Sequence, residues 1–451
     1  MSAVSLSMLM RSNAAPIVAK AAATVIAVAL SLGTMQARAD GLLDVYNLAK
    51  TYDADLKAAE FDFEAIRSSV RIAKSANRLQ AGLGATASIG DVNDDGDGSF
   101  FSQALSLNLR QTLFNSAQSI AVDQSRLAVT QAEAQLESQR QSLMLRVATA
   151  YFDVLRAQAV VAFRRSELDA IGRQKEQNER RFDVGLVPVT DVKNAQAQFD
   201  LATAAEIAAV NQLSAAEEAL IVVSGADPKL LAELRFDMPL VSPDPADIKA
   251  WVKISEEQNI PLVVAKLAAE NAKQEVSVNR ALRMPTLDLV GSASTSETEQ
   301  RGRPDVDRAE IGLELSFPLL TGGRTNALVA QARAASLASN ERLVAQRRAT
   351  VQQARNAYRN VLASISRVNA LRQALESTQK SLEAQEAGFA EGLLTSLEVL
   401  RSLRDTFSAQ SDFAAARYDY ILSTLQLKQV AGILTEDDLT EIDQWLVEQE
   451  S

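Results

Sequence analysis

The chain has 451 residues, a formal net charge of −11, no cysteine and no histidine. Without cysteine there is no disulfide, thiolate nucleophile, lipidated cysteine or thiolate metal site, and without histidine general-base work falls to carboxylates and amines alone. The acidic balance argues against nucleic acid as a partner, because a phosphate binder needs a basic face, and aromatic residues at 5% are sparse for a ligand-stacking pocket.

The chain opens on a targeting pattern. Arg11 and Lys20 precede the apolar stretch 21–32, and Ala37-Arg38-Ala39 forms a small-residue cleavage site. Residues 1–39 are therefore expected to be a signal peptide. The alternative, a transmembrane anchor, fits less well, since a span needs about 20 apolar residues. No later stretch reads as a membrane helix, so any crossing of a bilayer is expected to use strands.

From there the sequence is written twice. Leu48, Leu56, Ala59, Val70 and Leu83 recur as Ile254, Leu262, Ala265, Val276 and Leu289, an offset of 206. Leu107, Leu109 and Leu113 recur as Leu313, Leu315 and Leu319 at the same offset. One residue then slips in, and Ala150-Tyr151, Phe182 and Gly185 recur as Ala357-Tyr358, Phe389 and Gly392, an offset of 207. Repeat one covers about 40–224, an irregular Pro- and Gly-bearing link 224–245, repeat two about 246–434, and a C-terminal segment 435–451. A twofold repeat of this kind describes an architecture in which neither half buries its own surface.

Each repeat begins with a helix, over 41–78 and 248–284. The first is expected to break near Tyr52-Asp53 and the second near Asn259-Ile260-Pro261. Strands follow at about 82–90 and 101–113, then 286–296 and 309–319. Leu105, Leu107 and Leu109 alternate with Ser106, Asn108 and Arg110, and Ile311, Leu313, Leu315 and Phe317 alternate with Gly312, Glu314 and Ser316. Strands of about ten residues cross a bilayer when tilted. Any one of them would suit a half-buried soluble sheet, but four together, joined to helices too polar for a soluble core, point to a membrane β-barrel. The smallest such barrels have about eight strands and lipid tolerates no open edge, so the chain is expected to oligomerise; two copies or three would serve. Between the first two strands, Asp91-Val92-Asn93-Asp94-Asp95-Gly96 fits the opening of a calcium loop, but Ser102 stands where the closing glutamate belongs. It is read as an acidic exterior loop, with no metal.

The stretch 116–184 has no proline and one glycine, Gly172. Its heptad seam runs Leu143, Val147, Ala150, Val154, Ala157, Val161, Leu168, Ile171 and Phe182; the second copy runs Ala354, Ala357, Val361, Val368, Leu371, Leu375, Leu382 and Phe389. About 68 residues at ~1.5 Å each extend ~100 Å, too long for a globular core. Both helices end in turns, at Gly185 and Gly392, and return as second helices for which Thr190 and Thr395-Ser396 are expected caps.

At these turns the chain resembles the TolC family of outer-membrane efflux and export channels. The resemblance rests on 181–187 (Arg-Phe-Asp-Val-Gly-Leu-Val) followed by Thr190-Asp191-Val192, on Met284-Pro285-Thr286-Leu287, on Pro318-Leu319-Leu320-Thr321-Gly322-Gly323 and on Ala416-Arg417-Tyr418-Asp419-Tyr420. It implies a homotrimer, with twelve pooled strands in outer-membrane lipid, twelve helices in a periplasmic tunnel, and a belt made by the link and the C-terminal segment. It implies a passive duct without cofactor or catalytic site, working with a periplasmic adaptor and an inner-membrane transporter in type I secretion or efflux. By the same resemblance Thr190, Asp191, Phe389, Leu394, Glu398 and Arg401 stand at the periplasmic entrance. Val184, Gly185 and Leu186, with Glu391, Gly392 and Leu393 as the weaker copy, stand where adaptors dock. The chain departs from the family where a tyrosine is replaced by Phe389 and an arginine by Leu394, so a polar latch through those two positions cannot form, and where an acidic ring residue is replaced by Arg401, which is expected to pair with Glu398. The alternative is a secreted structural coiled coil without a pore.

Overall fold

The computed structural model describes residues 41–94, 97–225, 231–299 and 303–447. The expected signal peptide, part of the acidic loop 91–96 and the end of the C-terminal segment lie outside them. The first repeat contributes α1 (Leu42–Tyr52), α2 (Ala54–Ser75), β1 (Gln80–Asp94), β2 (Asp97–Phe114), α3 (Ser116–Asp183) and α4 (Val189–Ser224). The link carries β3 (Glu233–Leu234). The second repeat contributes α5 (Ile248–Gln258), α6 (Ile260–Ala281), β4 (Thr286–Thr298), β5 (Val306–Ser316), α7 (Arg324–Ala390) and α8 (Ser396–Ala431). The chain closes with α9 (Glu436–Asp443) and β6 (Leu446–Val447).

The two helix breaks have matching causes. Asp53 leaves the helical region and its carboxylate accepts from the Leu56 N–H at 2.7 Å, while Arg146 pairs with it at 2.9 Å. Asn259 does the same for α6, accepting from Leu262 N–H at 3.0 Å, with Pro261 in the first turn. Each side chain replaces a helical acceptor for an orphan donor at the new N-terminus.

The sheet runs β1-β2-β4-β5, antiparallel throughout. Its register places Leu83 opposite Leu107, Leu107 opposite Ala293 and Ala293 opposite Ala309, so these residues share one face. That face is apolar and bare: Leu83, Ile311, Leu313 and Leu315 are 73, 79, 66 and 70% exposed. The opposite face carries Ser106, Asn108, Ser292 and Glu310, with Arg110 paired to Asp288 at 2.7 Å. One apolar and one polar face suit lipid on one side and water on the other. β5 ends at Ser316, earlier than the alternation suggested, because Pro318 has no N–H to donate to a ladder. β1 and β5 each leave one edge unpaired.

The long helices form two hairpins, α3 with α4 and α7 with α8; α6 packs between α3 and α7, and α3 also packs on α8. α3 has 68 residues, ~100 Å of helix at ~1.5 Å per residue. The seam residues Leu143, Val147, Val154, Val361 and Val368 are buried, as heptad spacing requires. Phe182, placed on the same seam, is 42% exposed instead. α4 departs from expectation in composition: one window has a mean hydropathy of 1.3, in the range of a membrane helix. The cause is the branched residues of its C-terminal half, Ile207, Val210, Leu213, Leu220, Ile221, Val222 and Val223.

The core lies midway along the hairpins, where Tyr46, Tyr151, Phe152, Tyr420 and Leu425 are all within 1% of full burial. A belt closes over it. Link and C-terminus pair as β3 and β6, with Leu234 opposite Leu446. Tyr420 Oη accepts from Val241 N–H at 2.8 Å and donates to its carbonyl at 3.0 Å, and Tyr151 Oη donates to Ala232 O at 2.8 Å. The Asp443 carboxylate caps α1 by accepting from Leu42 N–H at 2.7 Å.

Candidate functional site: the hairpin tips

Both hairpins end in the same turn. Gly185 and Gly392 each adopt φ of 76°, in the left-handed region that favours glycine. Gly185 N–H donates to Phe182 O at 2.9 Å and Leu186 N–H to Arg181 O at 2.8 Å; Gly392 and Leu393 repeat this on Phe389 and Gly388 at 3.1 and 2.9 Å. The paired bonds satisfy the last carbonyls of each long helix and project the next side chain outward. Val184, Leu186 and Leu393 are 69, 73 and 75% exposed. Glu391 is exposed beside them. The tips thus offer apolar side chains to solvent at the end furthest along the helices from the sheet.

α4 begins at Val189, with Pro188 as its cap residue and no side-chain cap. Thr190, expected as the cap, is instead the second helical residue and exposed. Pro188 explains the shift: its fixed φ and missing N–H suit the residues that open a helix. Asp191 lies half-buried in that first turn, where its charge favours the helix N-terminus.

α8 begins with a capping box. The Glu398 carboxylate accepts from Thr395 N–H at 2.8 Å and from Thr395 Oγ1 at 2.9 Å. These bonds hold its carboxyl below the usual carboxylate range, the backbone N–H first, with a smaller contribution from the Arg401 charge. Glu398 therefore has a local task, beyond any ring it joins. Arg401 is exposed one turn on. Leu394 lies half-buried over Gly388, where an added Cβ would come within 2.8 Å of its Cδ1.

Asn178, which joins the two tips, was not anticipated. Asn178 of α3 is fully buried; its Nδ2 donates to Ser396 Oγ of α8 at 3.0 Å and lies 3.5 Å from the Asp191 carbonyl of α4. Its Oδ1 accepts from Gln174 Nε2 at 3.3 Å. One turn further, the Arg181 guanidinium lies over the Phe389 ring, 4.4 Å from its centroid, in cation–π geometry. Phe389 is 7% exposed. The missed signal is heptad spacing: Asn178 stands seven residues after Ile171, at a seam position where a polar residue sets register. Among the described residues no cluster of acidic, cysteine or histidine side chains suits a metal ion.

Comparison with known proteins agrees with the duplicated fold. Residues 45–226 and 251–433 each match the family described as outer membrane efflux protein, one match per repeat. The chain is 35% identical to the outer membrane protein TolC of Vibrio cholerae over 429 residues, covering 92% of this chain and 96% of that protein. It is 31% identical to the alkaline protease secretion protein AprF of Pseudomonas aeruginosa over 422 residues, covering 88% and 86% of the two chains. Among solved structures, CusC superposes with a TM-score of 0.77 at 17% identity, covering 87% of this chain and 92% of that one.

Proposed function

The chain belongs to the outer membrane efflux protein family and is an outer-membrane channel of efflux or type I secretion; from that premise we propose that three copies close one barrel and one periplasmic tunnel. The observation that carries the proposal is the four-stranded sheet with unpaired edges on β1 and β5 and an apolar outer face. In lipid those edges need partners, and pairing β5 of one copy with β1 of the next supplies them. The internal repeat says what else is missing. α6 fills the groove between α3 and α7, whereas α2, its counterpart, packs on α3 and leaves Phe61 and Ile72 exposed at 75 and 71%. The α7 of a neighbouring copy, with Leu337 70% exposed, completes the same packing.

As a member of this family the channel works in a tripartite system with a periplasmic adaptor and an inner-membrane transporter. The bare Val184, Leu186 and Leu393 side chains at the tips are the docking points proposed for the adaptor, with Gly185, Glu391 and Gly392 shaping the turns. Thr190, Asp191, Phe389, Leu394, Glu398 and Arg401 ring the proposed entrance just above. The duct itself holds no cofactor; transport energy comes from the partners. A secreted coiled coil without a pore finds no support in the family match. The test is complementation: in cells lacking their own channel of this type, the chain restores export of a dye or protease, and its absence from heat-resistant oligomers in outer-membrane extracts would sink the proposal.

A further inference from the structure

Resting on the reading of an outer-membrane channel, we infer that a collar of basic side chains, set where the helices meet the sheet, docks anionic phospholipid headgroups of the periplasmic leaflet. The collar spans four short stretches: 71–80 at the end of α2, 111–122 where β2 enters α3, 276–287 between α6 and β4, and 317–330 between β5 and α7. They hold Arg71, Lys74, Arg78, Arg280, Arg283 and Arg324 and no aspartate or glutamate, in a chain whose net charge is −11. All six are exposed. The next basic residues along α2, α3 and α6, further from the sheet, are neutralised: Arg67 meets Glu64 at 3.0 Å, Arg126 meets Asp123 at 2.9 Å and Lys273 meets Glu270 at 3.5 Å. Among the described residues no collar side chain meets a carboxylate. Arg71 donates to Ser68 Oγ at 2.9 Å and Arg283 to Asn326 Oδ1 at 2.6 Å, while the side chains of Lys74, Arg78, Arg280 and Arg324 have no partner there.

The packing of α6 shows which way the collar faces. α6 fills the groove between α3 and α7, so its flanks are covered within the chain and need no neighbouring copy. Lys266, Glu270, Lys273, Ser277 and Arg280 recur at steps of four and three along one exposed stripe of α6. At the far end of that stripe Lys266 Nζ donates to Glu256 O of α5 at 3.0 Å, and α5 is tied to the belt by Trp251 Nε1, which donates to Pro245 O at 2.8 Å. The stripe therefore lies on the belt side of α6, away from the tunnel. Lys74 is the counterpart of Arg280 at the 206-residue offset and continues the line of Arg67 and Arg71 on α2.

The bare apolar face of the sheet ends at this level, at Leu315 of β5, so the collar begins where acyl chains give way to headgroups. The four long strands carry no tryptophan or tyrosine, the side chains that usually hold a barrel at headgroup level. Lysine and arginine reach that level on long apolar stems, and their charge favours an anionic surface over a zwitterionic one. Five of the six are arginines, whose planar fork fits two phosphate oxygens at once.

The test places the oligomer extracted from outer membranes in nanodiscs of equal phosphatidylglycerol and phosphatidylethanolamine and counts the lipids it retains by native mass spectrometry. Wild type is expected to retain phosphatidylglycerol over phosphatidylethanolamine by at least about fivefold, the preference that one basic side chain near an anionic surface supplies. Lys74→Gln with Arg78→Gln, Arg280→Gln and Arg324→Gln abolishes the preference, and Lys74→Arg with Arg78→Lys, Arg280→Lys and Arg324→Lys keeps it. Arg67→Gln with Arg126→Gln and Lys273→Gln, which removes cations that already have carboxylate partners, also keeps it. A wild type without the preference, a preference that survives the four glutamines, or one lost equally with the three, overturns the collar. Oligomer that prefers neither lipid yet sediments with peptidoglycan through these residues overturns it too. Where the four glutamines prevent assembly, wild type alone decides: the preference vanishes in about 1 M salt, where the Debye length falls to about 3 Å, and one that persists there overturns the collar. Wild-type protein that yields no oligomer in outer-membrane extracts overturns the channel reading on which the collar rests.

Discussion

Gly432 sits so close to Gln258 that a Cβ on it would lie 2.1 Å from the Gln258 carbonyl oxygen. Gly225, its counterpart in the first repeat, lies against Tyr52, where a Cβ would come within 2.9 Å of the ring. Tyr52 and Gln258 are themselves counterparts, each the last residue before a helix break. In both repeats the returning helix thus ends on the kink of that repeat's opening helix, at a left-handed glycine with φ of 66° or 78°.

The two contacts differ in what can yield. Gly432→Ala drives a methyl into backbone, in addition to about 1–2 kcal/mol of left-handed strain; trimer yield falls to near background. Gly225→Ala carries the same strain but meets only the flexible Tyr52 side chain, so trimer persists with a lowered melting temperature. Heat-resistance of the trimer on gels separates them, and equal tolerance of both substitutions would count against the packing described.

Tyr420→Phe removes the hydroxyl that serves both backbone groups of Val241. Leaving these polar groups unsatisfied costs about 1–3 kcal/mol. The link should loosen from α8 and be cut first in limited proteolysis, with the helical hairpins intact. An unchanged cleavage pattern would show that the belt is held elsewhere.

Asp191→Ala is expected to raise single-channel conductance only slightly. Phe389 has no hydroxyl and Leu394 no guanidinium to offer Asp191, and the carbonyl that Asn178 approaches at 3.5 Å is backbone and survives the substitution. A large rise in conductance would mean that the Asp191 carboxylate carries the closed state after all.

Glu398 gives the start of α8 a pH dependence. Its carboxyl is lowered in the folded protein, so its stabilisation is present above the unfolded value of about 4.3 and is lost as pH falls through the folded value. Hydrogen-exchange protection at the start of α8 should exceed that of Glu398→Gln near neutral pH, and the difference should fade as acid protonates the carboxyl below its unfolded value. A difference that persists unchanged in acid would remove the capping role.

Gly185→Pro breaks the first tip, because proline cannot take φ of 76° and has no N–H for the Phe182 carbonyl. Export should be lost while trimer and barrel remain, as seen in outer-membrane extracts. Normal export would show that the tip is not where the adaptor docks.

Heptad spacing and strand alternation made the architecture legible, because a 3.5-residue seam and a two-residue alternation each have one structural meaning over such lengths. The tips were less legible. Thr395 and Glu398 form the T-x-x-E capping pattern, yet Glu398 reads as an entrance residue when only the family resemblance is considered. Asn178 breaks the apolar seam by one polar residue, whose partner Ser396 is 218 positions away and unknowable from periodicity. Phe182 and Phe389 are equivalent in sequence, but Phe389 meets Arg181 of the other hairpin, a contact between the repeats that periodicity does not give.

The most direct test of the account is single-particle imaging of the protein extracted from outer membranes. With four strands and two long hairpins per chain, the account predicts three chains enclosing a twelve-stranded barrel continuous with a twelve-helix tunnel. A monomer, a dimer, or an assembly in which β1 and β5 stay unpaired would contradict it.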